Sequence, residues 1–153
     1  MFGKIGKENS MEKIYSKVDP NRVLHIVKRL SDIEAQADFR EDIVDAENFI
    51  QCSSLIMDTG KTFKPHKHIF KTRTHENQIA QESWIVVRGS VKCIFYDLDD
   101  TVLAEPILYP GDASFTLGGG HNYLILEDDT IVYEYKTGPY EGQKLDKVFL
   151  NQE

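Results

Sequence analysis

The chain has 153 residues, of which 41% are hydrophobic and 28% charged, and its formal net charge is −7. This composition is typical of one soluble globular domain, and the acidic balance argues against nucleic acid as a partner, because phosphate binding depends on lysine and arginine. No apolar run approaches the roughly 18 residues of a membrane-spanning helix, and we recognise no signal peptide, so we expect a cytoplasmic protein without a membrane partner.

The N-terminal residues predict an arm followed by one domain. Residues 1–12 are expected to be a loose, flexible arm, and residues 13–153 a single domain with its core at 49–137. Cys52 and Cys93 lie in strand-like runs. In a reducing compartment such cysteines are expected to be buried thiols rather than a disulfide.

The segment after the arm carries a helix signal. Asp19-Pro20 has the form of an N-cap followed by proline at the first helical position, and apolar residues then recur at helical spacing. We therefore predict a short helix over residues 20–34. An extended segment is the alternative, because residues 23–27 are also strand-like. His25 lies in this segment and is expected to be packed rather than to bind an ion.

From about residue 48 the pattern changes to short apolar runs separated by turn residues. Eight runs predict strands: 49–57, 62–71, 83–88, 91–97, 102–108, 113–117, 122–126 and 130–137. Clusters of glycine, proline and aspartate lie between them. Eight closely spaced strands predict an all-β domain, a sandwich or barrel of the jelly-roll kind.

Two histidines in the second predicted strand indicate a metal site. His66 and His68 are two positions apart, so in an extended strand both imidazoles lie on one face and can bind one ion. Glu82 begins the next predicted strand, and a third histidine, His121, follows three glycines. The alternative is a solvated strand face, which the flanking Phe63 disfavours.

These residues resemble the first of two motifs that define the cupin superfamily, a jelly-roll fold that usually holds one metal ion. Gly60-x5-His66-x-His68 matches the first half of that motif and Glu82-x6-Gly89 the second half. The departure is the gap, because thirteen residues separate His68 from Glu82 where the family usually has three or four.

The second cupin motif is matched more loosely, by Gly111, Gly118 and His121. Thr116 stands where proline is common in the family, and Ile125 where asparagine is common. The C-terminal run Lys136-Thr-Gly-Pro-Tyr140, followed by Asp146-Lys147, is also similar to small cupin-fold metalloproteins of bacterial polysaccharide and nucleotide-sugar pathways, including the WbuC type. The resemblance implies a homodimer as well.

Carried onto this chain, the resemblance implies a metal site whose ligands are His66, His68, Glu82 and His121. This donor set suits one divalent Mn, Fe, Co, Ni or Zn ion and leaves coordination positions open. Because of the insertion, His75, Glu76 or Gln78 could replace Glu82, which we prefer because it heads the apolar run before Gly89. His75 is otherwise expected to be a catalytic lid residue over the barrel mouth.

Four further residues are candidates for substrate contact or proton transfer. Lys64 shares the parity of the two histidines, and we expect it to contact substrate; a solvated lysine is the alternative. Tyr123 shares the parity of His121 and either bonds a substrate hydroxyl or packs in the core. Glu134 and Lys136 alternate with tyrosines, so they form an inward acid/base pair, with Lys136 also binding substrate, only if the tyrosines face outward.

The function these residues predict is metal-dependent chemistry on a small polyhydroxylated or anionic molecule. We expect an isomerase or epimerase acting on a sugar or nucleotide sugar in polysaccharide biosynthesis, with the metal as Lewis acid. An Fe(II) oxygenase, a non-catalytic metal-dependent sugar-binding module and a metal-free jelly roll remain as alternatives.

Overall fold

The computed structural model describes residues 11–68, 78–138 and 141–150, and these residues form mostly β-structure. Their strands are β1 (Glu12–Tyr15), β2 (Val23–Lys28), β3 (Arg40–Asp42), β4 (Ser53–Leu55), β5 (Glu82–Arg88), β6 (Val91–Tyr96), β7 (Val102–Ala104), β8 (Ile107–Leu108), β9 (Ala113–Thr116), β10 (Gly120–Ile125) and β11 (Ile131–Lys136). Two short helices, α1 (Leu30–Glu34) and α2 (Gln143–Asp146), complete the set. Neither helix has the length and apolar character needed to cross a membrane.

Antiparallel pairing joins these strands into three sheets. The largest has the order β1-β2-β9-β5-β11, the second has the order β10-β6-β7 with β8 also pairing with β6, and β3 pairs with β4. Within the residues described, none of the three ladders closes on itself. The all-β prediction is confirmed at this level.

The two larger sheets face each other across an apolar core. Val27 and Val86 of the five-stranded sheet pack with Val91, Cys93 and Phe95 of the four-stranded sheet, and all five are almost completely buried. Both cysteines are free thiols, Cys93 buried and Cys52 half-buried, and burial raises the pKa of the Cys93 thiol to about 12. The side chains that project from each sheet toward the other therefore define one interior space.

A second core covers the opposite face of the five-stranded sheet. Ile26 and Phe115 project to this side and pack with Ile43, Val44 and Ile50 from the loops around β3 and β4. Because successive side chains on a strand point to opposite faces, β2 and β9 are buried on both sides. Double burial explains why β2 is a continuous apolar run.

The predicted helix over residues 20–34 is wrong for most of its length. Residues 23–28 are strand β2, paired with both β1 and β9, and only Leu30–Glu34 is helical. Asp19-Pro20 lies in a turn closed by the Arg22 amide donating to the Asp19 carbonyl at 2.9 Å. The apolar spacing that indicated a helix is equally compatible with a strand buried on both faces.

Two of the eight predicted strands need correction. Residues 62–68 of the predicted 62–71 run form no strand, and residues 69–71 lie outside the described residues. Only Ser53–Leu55 of the predicted 49–57 run is a paired strand. Residues 62–68 are all exposed, so no buried face selects a strand there, and Pro65 has no amide hydrogen to donate. The other six strands are confirmed, with 102–108 divided into β7 and β8.

Candidate functional site

Polar side chains continue the inner face of the five-stranded sheet beyond its apolar core. Glu82 and Trp84 share the face of Val86, because side chains alternate along β5. The strand register places Thr116 of β9 beside Glu82 on one side and Lys136 of β11 on the other. A polar row therefore crosses three adjacent strands and faces the four-stranded sheet.

His121 reaches this row from β10 of the opposite sheet. Its Nε2 lies 3.5 Å from Glu82 Oε1, with the two side chains 24% and 15% exposed. Its Nδ1 lies 2.9 Å from the Thr116 hydroxyl oxygen. The structure thus brings two of the four predicted metal ligands together and fixes the orientation of the imidazole through a third residue.

The same Thr116 hydroxyl contacts a second imidazole. His25 Nδ1 lies 3.1 Å from Thr116 Oγ1, and His25 Nε2 lies 3.1 Å from the Tyr96 carbonyl oxygen. The His25 ring is 0% exposed and stacks on Phe95 with 4.4 Å between centroids. The interpretation of His25 as a packed side chain agrees with this environment.

Trp84 links two carboxylates and both sheets. Its indole N–H donates to Glu82 Oε1 at 3.1 Å and to Glu134 Oε2 at 3.2 Å. Its ring stacks on Tyr123 at 3.9 Å between centroids, and the Tyr123 hydroxyl lies 3.2 Å from the Ser114 hydroxyl. Tyr123 is therefore part of the packing that holds Trp84, and Trp84 in turn orients the carboxylates.

The orientation of β11 settles which of its side chains face the site. Tyr133 and Tyr135 are 61% and 58% exposed, whereas Glu134 contacts Trp84 on the inner face. Lys136 shares that face, and its Nζ lies 3.8 Å from Asp146 Oδ2 near the C-terminus. The tyrosines point outward, so Glu134 and Lys136 lie on the same side as Glu82.

Burial shifts the proton affinities of the central pair toward each other. Burial and the neighbouring Glu134 carboxylate raise the pKa of Glu82 against the opposing effects of Trp84, Lys136 and Lys147. Burial and the Lys147 charge lower the pKa of His121. Both shifts disfavour the charged forms of the two side chains.

The first two predicted ligands lie in a different setting. His66 and His68 are exposed residues of a segment without secondary structure, with ring centroids 5.4 Å apart, and His66 Nδ1 lies 3.0 Å from the carbonyl oxygen of the exposed Lys64. Across residues 11–68, 78–138 and 141–150, no three histidine, cysteine or acidic side chains are grouped so as to hold a metal. The four predicted ligands are thus present as two separate pairs.

Two of the three alternatives to Glu82 lie outside the described residues, and one of these two is also the predicted lid residue. His75 and Glu76 lie outside the described residues, and Gln78 is exposed and outside any helix or strand. Glu82 is consequently the one of these candidates that the structure places next to a predicted histidine ligand.

The three glycines before His121 form a tight bend. Gly119 has φ +71, in the left-handed region that favours glycine, and a Cβ there would lie 2.4 Å from the Tyr96 carbonyl oxygen. The glycine at this position therefore lets the chain approach the carbonyl that His25 contacts.

Three residues that carry the site were not among the predicted functional residues. Trp84 could have been found from alternation, because it lies two residues after Glu82 on the same strand. Thr116 is on a different strand and is placed beside Glu82 only by the pairing of β5 with β9. Lys147, whose charge acts on both Glu82 and His121, lies near them only through the path of the C-terminal segment. No pattern in the sequence indicates that Lys147 lies near Glu82 and His121.

No family model matches this chain, and no curated protein or solved structure matches it. The cupin resemblance therefore rests on the residues quoted for it above.

Proposed function

We propose that this chain binds a small polyhydroxylated or anionic molecule beside Glu82 and His121 and interconverts it as an isomerase or epimerase of the sugar or nucleotide-sugar class. The observation that carries the proposal is the 3.5 Å approach of Glu82 Oε1 to His121 Nε2 at the polar end of the intersheet space. Such a reaction moves a proton from the carbon next to a carbonyl to the carbonyl oxygen, which gives an enol, and then returns a proton to carbon. Return to the opposite face of the same carbon gives an epimer, and protonation of the former carbonyl carbon gives an isomer. Glu134 and Lys136, which share the face of Glu82, are the acid/base pair proposed for these proton transfers.

The same pair fits two ligands of a divalent transition ion. Ligand atoms about 2.1 Å from an ion in tetrahedral geometry lie roughly 3.4 Å from each other, close to the separation found here. The Thr116 hydroxyl forms a hydrogen bond with the other ring nitrogen of His121, Nδ1, as expected for a histidine ligand held in a fixed orientation. One Mn, Fe, Co, Ni or Zn ion would polarise a carbonyl or hydroxyl oxygen of the substrate.

His66 and His68 complete the ligand set in this proposal, within a jelly-roll arrangement of the cupin kind. They require the exposed segment at residues 62–68 to come close to Glu82 and His121 when the ion binds. Their exposure and the absence of secondary structure around them are consistent with such a movement.

The charges around the pair favour an anionic ligand. Lys136 lies beside Glu82 in the register of β5 and β11, and the Lys147 charge acts on both Glu82 and His121. A phosphate or carboxylate group of the substrate would interact favourably with these ammonium groups. Lys64 could supply a further positive charge from the same segment as His66.

A second candidate function is binding without catalysis. Glu134 accepts a hydrogen bond from Trp84, and Lys136 lies near Asp146, so the two predicted acid/base residues have structural contacts of their own. If these contacts persist in the complex, the same site holds its ligand without transferring protons.

The test is hydrogen exchange in a substrate panel. Sugar phosphates and nucleotide sugars are incubated with the metal-supplemented protein in deuterium oxide, and proton NMR follows the signal of the C–H next to the carbonyl. The proposal predicts exchange that falls about 10²- to 10⁴-fold in Glu82→Gln and in His121→Gln. The exposed Glu47→Gln variant should retain the native rate.

The two candidate functions give different results in this experiment. Binding of a panel member, measured by calorimetry, without any exchange supports the binding module. Exchange that is indifferent to both Glu82→Gln and His121→Gln would show that the reaction takes place elsewhere.

A further inference from the structure

A continuous series of polar contacts runs from the Tyr96 carbonyl to the Glu82 carboxylate. In order, the Tyr96 oxygen, the His25 ring, the Thr116 hydroxyl and the His121 ring are joined by distances of 3.1, 3.1 and 2.9 Å. His121 Nε2 then lies 3.5 Å from Glu82 Oε1. The series crosses between the two sheets, and Thr116 is shared by both imidazoles.

The strand ladders fix the positions of these groups. His25 and Thr116 are directly opposite each other in the pairing of β2 with β9. Glu82 is the partner of Thr116 on the other side, in the pairing of β5 with β9. His121 is opposite Phe95, on which His25 stacks. The geometry of the series is thus set by backbone pairing rather than by mobile side chains.

The positions of the protons follow from the chemistry of each partner. A carbonyl oxygen can only accept, so His25 Nε2 carries a hydrogen and donates it to Tyr96. The His25 ring is fully buried against Phe95, which favours its neutral form, so its Nδ1 has a free lone pair. Burial lowers the pKa of His25 to about 4, in agreement with a neutral ring.

The hydroxyl of Thr116 has a single hydrogen to donate. It donates to His25 Nδ1, which has a lone pair and no hydrogen, and so it must act as acceptor toward the second imidazole. The His121 Nδ1 therefore carries a hydrogen and donates it to Thr116 at 2.9 Å. In the neutral His121 ring this leaves Nε2 without a hydrogen.

We infer that Thr116 and His25 are positioning residues that hold neutral His121 as its Nδ1–H tautomer, so that the bare Nε2 faces the Glu82 carboxylate. Two acceptor atoms then lie side by side, and they attract a divalent cation or the hydroxyl hydrogen of a ligand. Without the Thr116 hydroxyl, neutral His121 would favour the Nε2–H tautomer, which could donate to Glu82 and occupy both acceptors internally. The inference deepens the proposed function, on which its ligand chemistry rests.

The tautomers can be read directly by long-range proton–nitrogen NMR of the ¹⁵N-labelled metal-free chain. At about pH 8, free histidine side chains are neutral, and His121→Gln and His25→Gln variants assign the two rings among the five histidines. We expect the Nδ1–H pattern for His121 and the Nε2–H pattern for His25. The Nε2–H pattern for His121, or the Nδ1–H pattern for His25, would overturn the inference without any need for a Thr116 variant to fold.

Two substitutions at Thr116 then test the cause. Thr116→Val removes the hydroxyl at nearly constant shape and should move His121 to the Nε2–H form, whereas Thr116→Ser should restore the native pattern. The exposed Thr62→Val variant is the control and should leave both rings unchanged. A Thr116→Val spectrum identical to the native one would show that Thr116 does not select the tautomer.

Zinc titration separates the inference from the proposed function. If Thr116 and His25 hold the tautomer of His121, Thr116→Val should weaken zinc binding about 10- to 100-fold relative to Thr116→Ser. If the native chain binds no zinc while the tautomers are as expected, the proposed metal site is wrong, and the positioning of His121 by Thr116 and His25 still holds. If zinc binds equally to Thr116→Val and Thr116→Ser, the Thr116 hydroxyl has no part in ligand binding and the inference fails.

Discussion

Acid should destabilise this fold through His25. Burial lowers the pKa of this imidazole from 6.5 to about 4. Between those two values the unfolded chain binds a proton at this residue and the folded chain does not. The free energy of unfolding therefore falls as the pH falls through this window, and the contribution of His25 is fully present above about pH 6.5.

The size of the effect follows from the shift. A difference of about 2.5 pKa units, at 1.36 kcal/mol for each unit, corresponds to roughly 3 kcal/mol between pH 7 and pH 4. The lowered pKa of His121 acts in the same direction. The raised pKa of Glu82 acts oppositely, because the folded chain retains that proton to a higher pH than the unfolded chain. A loss of this size is a large part of the 5–15 kcal/mol typical of a small domain.

The assay is urea unfolding of the native chain and His25→Gln at pH 7, 6, 5 and 4. Because the substitution also removes the stack on Phe95, the quantity compared is the change with pH and not the absolute stability. We expect the native chain to lose roughly 3 kcal/mol more than His25→Gln over this range. The exposed His66→Gln variant should behave like the native chain. Equal losses of stability on acidification in the native chain and His25→Gln would show that His25 does not destabilise the fold at low pH.

Three further substitutions test the packing and the charges of the site. Gly119→Ala places a Cβ 2.4 Å from the Tyr96 carbonyl oxygen at φ +71, so it should cost about 2 kcal/mol or more in urea unfolding. Gly142→Ala, at φ +98 with nothing within 4 Å of the added Cβ, should cost only about 1 kcal/mol, and an equal cost for the two would contradict the close approach. Ser83→Ala should raise the free energy of unfolding by about 1 kcal/mol, because the buried Ser83 hydroxyl has no hydrogen-bond partner among the described residues; a loss of stability would indicate that it has one. Lys147→Gln should raise the pKa of both His121 and Glu82 in an NMR titration, whereas the exposed Lys144→Gln should leave them unchanged, and identical titrations for the two variants would remove Lys147 from the site.

Alternation of apolar and polar residues predicted most of the strands and part of the site. The runs that became β5, β6, β10 and β11 each have one face buried between the sheets, and this is the condition under which a period of two is visible in a sequence. The same rule placed Tyr123 on the face of His121. It left two orientations open for Glu134 and Lys136, and the structure selects the one in which the tyrosines face outward.

The failures have equally specific causes. In β2 both faces are buried, so its apolar spacing carries no period of two and fits a helix as well. Residues 62–68 have no buried face, so the alternation of His66 and His68 did not indicate a strand.

The contacts of Thr116 depend on tertiary register. Thr116 meets His25 and Glu82 only through the pairing of β9 with two other strands. A single sequence contains no record of which strands become neighbours. The series of contacts through Thr116 could therefore be found only in the structure.

A metal centre at Glu82 and His121 is tested most directly by zinc calorimetry on the native chain, Glu82→Gln and His121→Gln, with Glu47→Gln as the matched control. We expect the native chain and Glu47→Gln to bind one ion and both site variants to lose this binding. Acidification below about pH 6 should release the ion from the native chain, because protons compete with it for the histidine ligands. Zinc binding that is absent from the native chain, or that survives both site substitutions unchanged, would contradict a centre built on Glu82 and His121.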